Sequence, residues 1–190
     1  MSMCRPVVVA GLVALVSVAT ALPSHAQLPT YGLGRAPTGK EIKDWDVTIP
    51  SDGRGLPPGS GTAALGKTIF SARCASCHGE SGDDAKYGRL AGGQGTLTTD
   101  KPLLTVGSFW PYATTLWSYI NRAQPLDDPG SLPPDQVYAV TAYLLYLNGI
   151  VGEHDVIDAR TLPQVKMPNR SGFVPDPRPD VEKPPKTKKR

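Results

Sequence analysis

The feature that most constrains this chain is the segment Cys74-Ala75-Ser76-Cys77-His78. Two cysteines three positions apart on a helical turn project their thiols to one side. The histidine that follows can turn under that same side. This arrangement suits addition of both thiols across the two vinyl groups of one porphyrin, with the imidazole binding the iron as proximal ligand. Two rival uses of the pair fit less well. A redox Cys-x-x-Cys would stand in a strand-to-helix setting of thioredoxin type, which the flanking residues do not supply. A zinc site would need two further ligands, and the remaining histidines, His25 and His154, lie at no fixed spacing from the pair. The reading is one covalent haem c on Cys74 and Cys77, with iron held by His78.

A haem also answers a question posed by composition. Hydrophobic residues make up 39% of the 190-residue chain, and Gly and Pro number 20 each. Long irregular segments around a small packed centre are expected. A buried porphyrin face would supply the missing apolar surface, at about 25 cal/mol per Å². The formal net charge of +3, with no clustering of basic residues among aromatics, argues against a nucleic-acid partner.

Residues 1–26 have the form of an export signal: Arg5, an uncharged apolar run from Pro6 to Leu22, then Ser24-His25-Ala26 at the cut. Cys4 would leave with it. No other stretch is long and apolar enough to span a bilayer, so no membrane anchor is expected after cleavage. Export implies a periplasmic location. Residues 27–61 read as an extended arm on the domain surface, in which Trp45, Val47 and Ile49 alternate as one short strand-like piece.

Residues 62–150 form the expected haem domain. Thr62 caps a helix running to Arg73, with Gly66, Ile69 and Phe70 on one face, and this helix delivers the chain to Cys74. Gly66 and Phe70 could meet Tyr143, glycine permitting close approach. A second helix is predicted from Pro111 to Ala123, and a third from Pro134 at N1 to Asn148, with Gly149 at C′. Trp110, Tyr112 and Trp117 are candidate walls of the haem or its propionates, although aromatics at helical spacing usually serve as core. Lys67, Arg73, Lys86 and Arg89 are candidate steering charges, although a solvated surface accounts for them as well. Residues 151–174 wrap back, and 175–190 are too polar and Pro-rich to fold.

The sixth iron ligand separates a closed electron carrier from an open ligand-binding site. In the slot before the last helix, Gln124 and not a methionine precedes Pro125. The one methionine after the signal is Met167. It is the favoured distal ligand, with His154 and Gln124 as alternatives. Packing is the competing role for Met167, and surface exposure the competing reading for His154.

Longer strings carry a resemblance. Leu90-Ala91-Gly92-Gly93-Gln94-Gly95-Thr96-Leu97 and the run from Thr105 to Trp117 resemble the cytochrome subunit of the Sox sulfur-oxidation dehydrogenase, the SoxD type. So do Val137–Asn148, Met167–Phe173 and, in the arm, Gly55–Gly61. The resemblance covers about residues 30–175. It implies an all-α, class I-like cytochrome c domain with about three main helices around one haem, plus the arm and wrap. It further implies an electron-transfer subunit rather than an enzyme in itself. Electrons would come from a molybdenum-cofactor dehydrogenase subunit acting on sulfite or sulfane sulfur, and pass to an acceptor cytochrome c. Gln124 departs from the Met-Pro of many relatives. The alternatives are a free carrier to a terminal oxidase and an open-site haem protein.

If haem completes the core, a Cys74→Ala/Cys77→Ala chain should lose cooperative melting and much of its helicity. Native-like circular dichroism with a sharp thermal transition would contradict that dependence.

Overall fold

The computed structural model describes residues 31–83 and 86–178. The expected signal peptide, with Cys4 and His25, and tail residues 179–190 lie outside the described residues. The chain divides into two units, Met1–Thr38 and Gly39–Arg190. In the first, residues 31–38 are exposed and without regular structure.

The second unit contains five helices among the described residues: α1 (Gly39–Trp45), α2 (Ala63–Arg73), α3 (Ala75–His78), α4 (Ala113–Ala123) and α5 (Pro134–Leu147). Strand is confined to β1 (Ser60–Gly61) and β2 (Ile157–Asp158), paired antiparallel with Ser60 opposite Asp158 and Gly61 opposite Ile157. This is the expected all-α architecture, with α2, α4 and α5 as the main helices. No helix among the described residues is long and apolar enough to cross a membrane.

The centre of the fold is the packing of α2 on α5. Thr62, extended at φ −119°, caps α2 by accepting the Leu65 N–H at 3.4 Å. Pro134 opens α5 at a position where no intrahelical N–H is needed. Gly149, at φ +67°, follows its end. Gly66 lies directly against the Ala139 carbonyl, and a Cβ built there would come within 2.8 Å of Tyr143 Cβ. Gly61 is held as closely against Ala139. Small residues at these two points let the backbones of β1, α2 and α5 meet. Phe70 then reaches Tyr143, with ring centroids 5.2 Å apart. Phe70, Val137, Tyr138 and Leu145 are buried, each contributing about 1.5–3 kcal/mol of apolar transfer energy.

α4 packs on the other side of α5, where Trp117 and Tyr138 lie 5.3 Å apart between ring centroids. Its helix begins at Ala113 rather than at Pro111, because Tyr112 is extended (φ −140°, ψ 133°). The Tyr112 ring lies under the Arg170 guanidinium, 5.2 Å from its carbon. A tertiary contact therefore holds a residue that the helical pattern would have included.

The arm is not extended throughout. α1 forms just before the alternating residues and takes in the first of them, Trp45, which ends it 85% exposed, while Val47 and Ile49 lie in the non-helical chain that follows. Glu41 in the first turn and Lys43 in the last suit the helix dipole. Lys40 and Asp44, four apart, pair at 2.6 Å. Of the three alternating residues, Ile49 alone is buried, its N–H donating to Ser118 Oγ at 3.2 Å. Beyond it, Ser60 N–H donates to Asp135 Oδ1 (2.7 Å) and Tyr138 Oη–H to the Pro57 carbonyl (2.9 Å). The arm is thus fastened to both α4 and α5.

Gly66→Ala should cost about 1–3 kcal/mol by forcing α2 away from α5. Denaturant unfolding of the haem-loaded protein measures this. A loss under a few tenths would mean that the two backbones are not in obligatory contact.

Candidate functional site

α2 carries the chain to Cys74, whose N–H donates to the Phe70 carbonyl at 2.8 Å. Cys74 takes φ −127° and ends the helix. Its own carbonyl then accepts from Cys77 N–H (3.1 Å) and His78 N–H (3.0 Å), which winds the single turn α3. Gly79, at φ +73°, turns the chain away. Both thiols are free, Cys74 half-buried against the core and Cys77 exposed. Burial pushes the Cys74 thiol up to about 11, with Cys77 adding slightly and Arg73 opposing. Cys74 is therefore held as a neutral thiol facing an apolar surface, beside a more accessible Cys77.

His78 is half-buried, with Nδ1 3.4 Å from the Gly88 carbonyl. The tautomer protonated at Nδ1 makes this contact a hydrogen bond and leaves the Nε2 lone pair for a metal. Gly88, at φ +87°, is the turn residue that presents this carbonyl. Sequence reasoning did not assign this role to Gly88. Its signal is a glycine in the loop ten residues past the histidine, which gains meaning only when the loop closes.

The three distal candidates are placed very differently. Met167 is 3% exposed and belongs to the same apolar core on whose edge Cys74, Ala75, Leu90 and Trp110 lie. His154 is exposed, next to Gly152 and Asp155 in a surface turn. Gln124 is half-buried at the end of α4, its N–H donating to the Ile120 carbonyl.

Met167 sits in a strap that is anchored at several points. Asn169 Nδ2–H donates to the Phe109 carbonyl at 2.8 Å. Phe173 meets Phe109 edge-on, with centroids 5.2 Å apart. Arg170 covers Tyr112, and its N–H turns back to the Met167 carbonyl at 3.2 Å. Ahead of the methionine, Leu162 is fully buried in a short 3₁₀ turn, Leu162–Gln164. The strap anchors were not foreseen, because each pairs a residue in 169–173 with one about sixty positions earlier.

The aromatic candidates divide by helix face. Trp117 is buried against Tyr138, and its Nε1 and Thr114 Oγ1 are without hydrogen-bond partners among the described residues. Trp117 also lines a cleft of about 730 Å³ with Val47, Ile49 and Pro57 of the arm. Tyr119, two residues on, points to the other side of α4. It is 44% exposed and meets the half-buried Trp110 at 5.8 Å between centroids. The cleft therefore lies behind α4, away from the face that carries Tyr119 and Trp110. Among the basic candidates, Arg73 bonds Ser131 Oγ (3.0 Å) and Asp128 (3.5 Å), and Lys86 lies over the Tyr87 ring. Lys67 and Arg89 are exposed.

These residues fit a covalent haem. The thiols are unbridged and three apart on one turn, and the imidazole beside them has its second nitrogen engaged. Half-buried Leu90 and Trp110 border the same core as Cys74 and Ala75, and Trp110 meets the exposed Tyr119. No cluster of three or more His, Cys, Asp or Glu among the described residues could hold a metal ion by side chains alone.

Residues 63–148 match the Cytochrome c family model. No curated protein matches the chain. Among solved structures, it is similar to the crystal structure of the sulfane dehydrogenase SoxCD from Paracoccus pantotrophus, at 42% identity and a TM-score of 0.70. The match covers 85% of this chain and 80% of that one.

Proposed function

Because this chain belongs to the cytochrome c family, in the group of the SoxD cytochrome subunit, we propose that it is the periplasmic electron-transfer subunit of a molybdenum-dependent sulfite or sulfane dehydrogenase. It takes electrons from the molybdenum-cofactor subunit and passes them to another cytochrome c. The chain itself is not the catalyst of sulfur oxidation. The observation that carries this reading is the α3 turn, which presents two free thiols and an imidazole whose Nδ1 is already engaged.

One haem c bound here supplies a one-electron iron couple. Cys74 and Cys77 hold it through thioether bonds, and His78 Nε2 ligates the iron. Met167 is the distal ligand: its burial in the shared core and its anchored strap favour it over exposed His154 and over Gln124. A thioether is a soft ligand that favours ferrous iron, so this assignment gives a raised potential. Exposed Ser76 and Cys77 mark the side at which a redox partner can approach. No side chain is asked to move a proton.

Met167→Ala should lower the reduction potential and allow carbon monoxide to bind the reduced protein without denaturant. An unchanged potential would remove Met167 from the iron. Mass spectrometry of the exported protein should show the polypeptide plus one haem. Co-purification with a molybdenum-containing subunit, and haem reduction on adding its sulfur substrate, test the partnership. A lone monomer that has no effect on sulfite oxidation would favour a free carrier instead.

A further inference from the structure

We propose that Asn148 is a positioning residue for the proximal histidine, acting through the Leu90 loop. The inference rests on the assignment of His78 as iron ligand. Asn148 follows the last turn of α5 and is buried. Every polar group of its side chain is engaged. Nδ2 donates to the Leu90 carbonyl (3.1 Å) and to the Leu144 carbonyl (2.8 Å), while Oδ1 accepts from Gly92 N–H at 3.1 Å. Its main-chain carbonyl accepts from Gln94 Nε2–H at 3.0 Å.

Three of these four bonds go to one loop. Leu90 also closes that loop on itself, its N–H donating to the Gly82 carbonyl at 2.7 Å. The segment from Gly82 to Leu90 is therefore shut at its base and pinned to the end of α5 at the same residue. Two positions before the pin is Gly88, whose carbonyl faces His78 Nδ1 at 3.4 Å. Residues 86–89 are exposed, and nothing lies within 4 Å of where a Gly88 Cβ would stand. The position of the Gly88 carbonyl beside the imidazole thus follows from Leu90, whose own carbonyl is held by the Asn148 amide (3.1 Å) together with Val106 N–H (3.3 Å).

The bond at stake acts on the electronics of the iron. An acceptor on Nδ1–H fixes the ring and raises the basicity of Nε2. A more basic imidazole favours ferric iron, so loosening the acceptor should favour ferrous iron. Gly107 supports the same latch from below. A Cβ on it would collide with Asn148 Oδ1 and lie 2.6 Å from Gln94 Nε2.

The test uses the haem-loaded protein. Asn148→Asp keeps the acceptor for Gly92 and removes both donors. Gly107→Ala keeps the amide and displaces it. Each should shift the couple about threefold toward ferrous iron, ~28 mV at the ~59 mV per tenfold of a one-electron couple. Each should also speed solvent exchange of the His78 Nδ1 proton in the reduced state. Ile157→Ala, a core change in β2, should lower stability without moving either readout. Holoprotein variants at 107 and 148 with unchanged potential and exchange overturn the latch while leaving His78 on the iron. Fast Nδ1 exchange in the unmodified reduced protein overturns it without any variant. A native protein lacking haem overturns the haem assignment itself, and the latch with it.

Discussion

The contact between Gly66 and the Ala139 carbonyl is the constraint on which the remaining structure depends. Two helices can lie this close only where no side chain stands between them. The approach orients the C-terminal end of α2, and the next residue is Cys74. It equally fixes the far end of α5, where Asn148 and Gly149 turn the chain. One backbone contact thereby places the attachment turn and the proximal loop in a common frame, and the Phe70–Tyr143 ring pair locks their relative rotation. Tyr143 extends this by donating its hydroxyl to the Glu80 carbonyl at 3.2 Å, two residues past His78.

The two sides of the site are built by different means. On the proposed proximal side every residue is local: Cys74, Cys77 and His78 share one turn, and the Gly88 carbonyl lies in the following loop. On the proposed distal side nothing is local. Met167 arrives after β2 and a 3₁₀ turn, and is fixed by an amide on Phe109, a ring on Phe109 and a guanidinium on Tyr112. The short segment before α4 is therefore the dock for the whole strap. This explains why Tyr112 stays extended and α4 starts late.

What could be read in the residues follows the same division. Elements defined by short-range rules were legible: the Thr62 cap, Pro134 at the first turn of α5 and Gly149 beyond it. The Cys74–His78 turn was legible for the same reason. The long-range approach of Gly66 to Tyr143 was also legible, because a glycine on an apolar helix face permits close packing. α1 was not foreseen, because the arm's Gly and Pro content and few periodic apolar positions pointed to an extended segment, whereas in the fold the Lys40–Asp44 pair supports a short helix and Trp45 remains in solvent. Of Trp110, Tyr112 and Trp117, read as haem walls or as core, Trp117 is core, buried against Tyr138. Helical spacing alone could not tell which face of α4 meets α5. The strap anchors and the Asn148 latch were out of reach, since each joins residues more than fifty positions apart through a single polar atom or ring.

The placement of Met167 beyond the last helix has a mechanical meaning. With His78 and Met167 on one iron, the ligand pair closes a loop that contains nearly the entire domain, as a cross-link would. Such a staple removes conformational freedom from the unfolded chain roughly as the logarithm of the enclosed length. Unlike a disulfide, its strength changes with the charge on the metal, because a thioether holds ferrous iron better than ferric. If Met167 holds the iron, resistance to unfolding and oxidation state would be linked quantities: the strap would be held more tightly in the reduced protein than in the oxidised one.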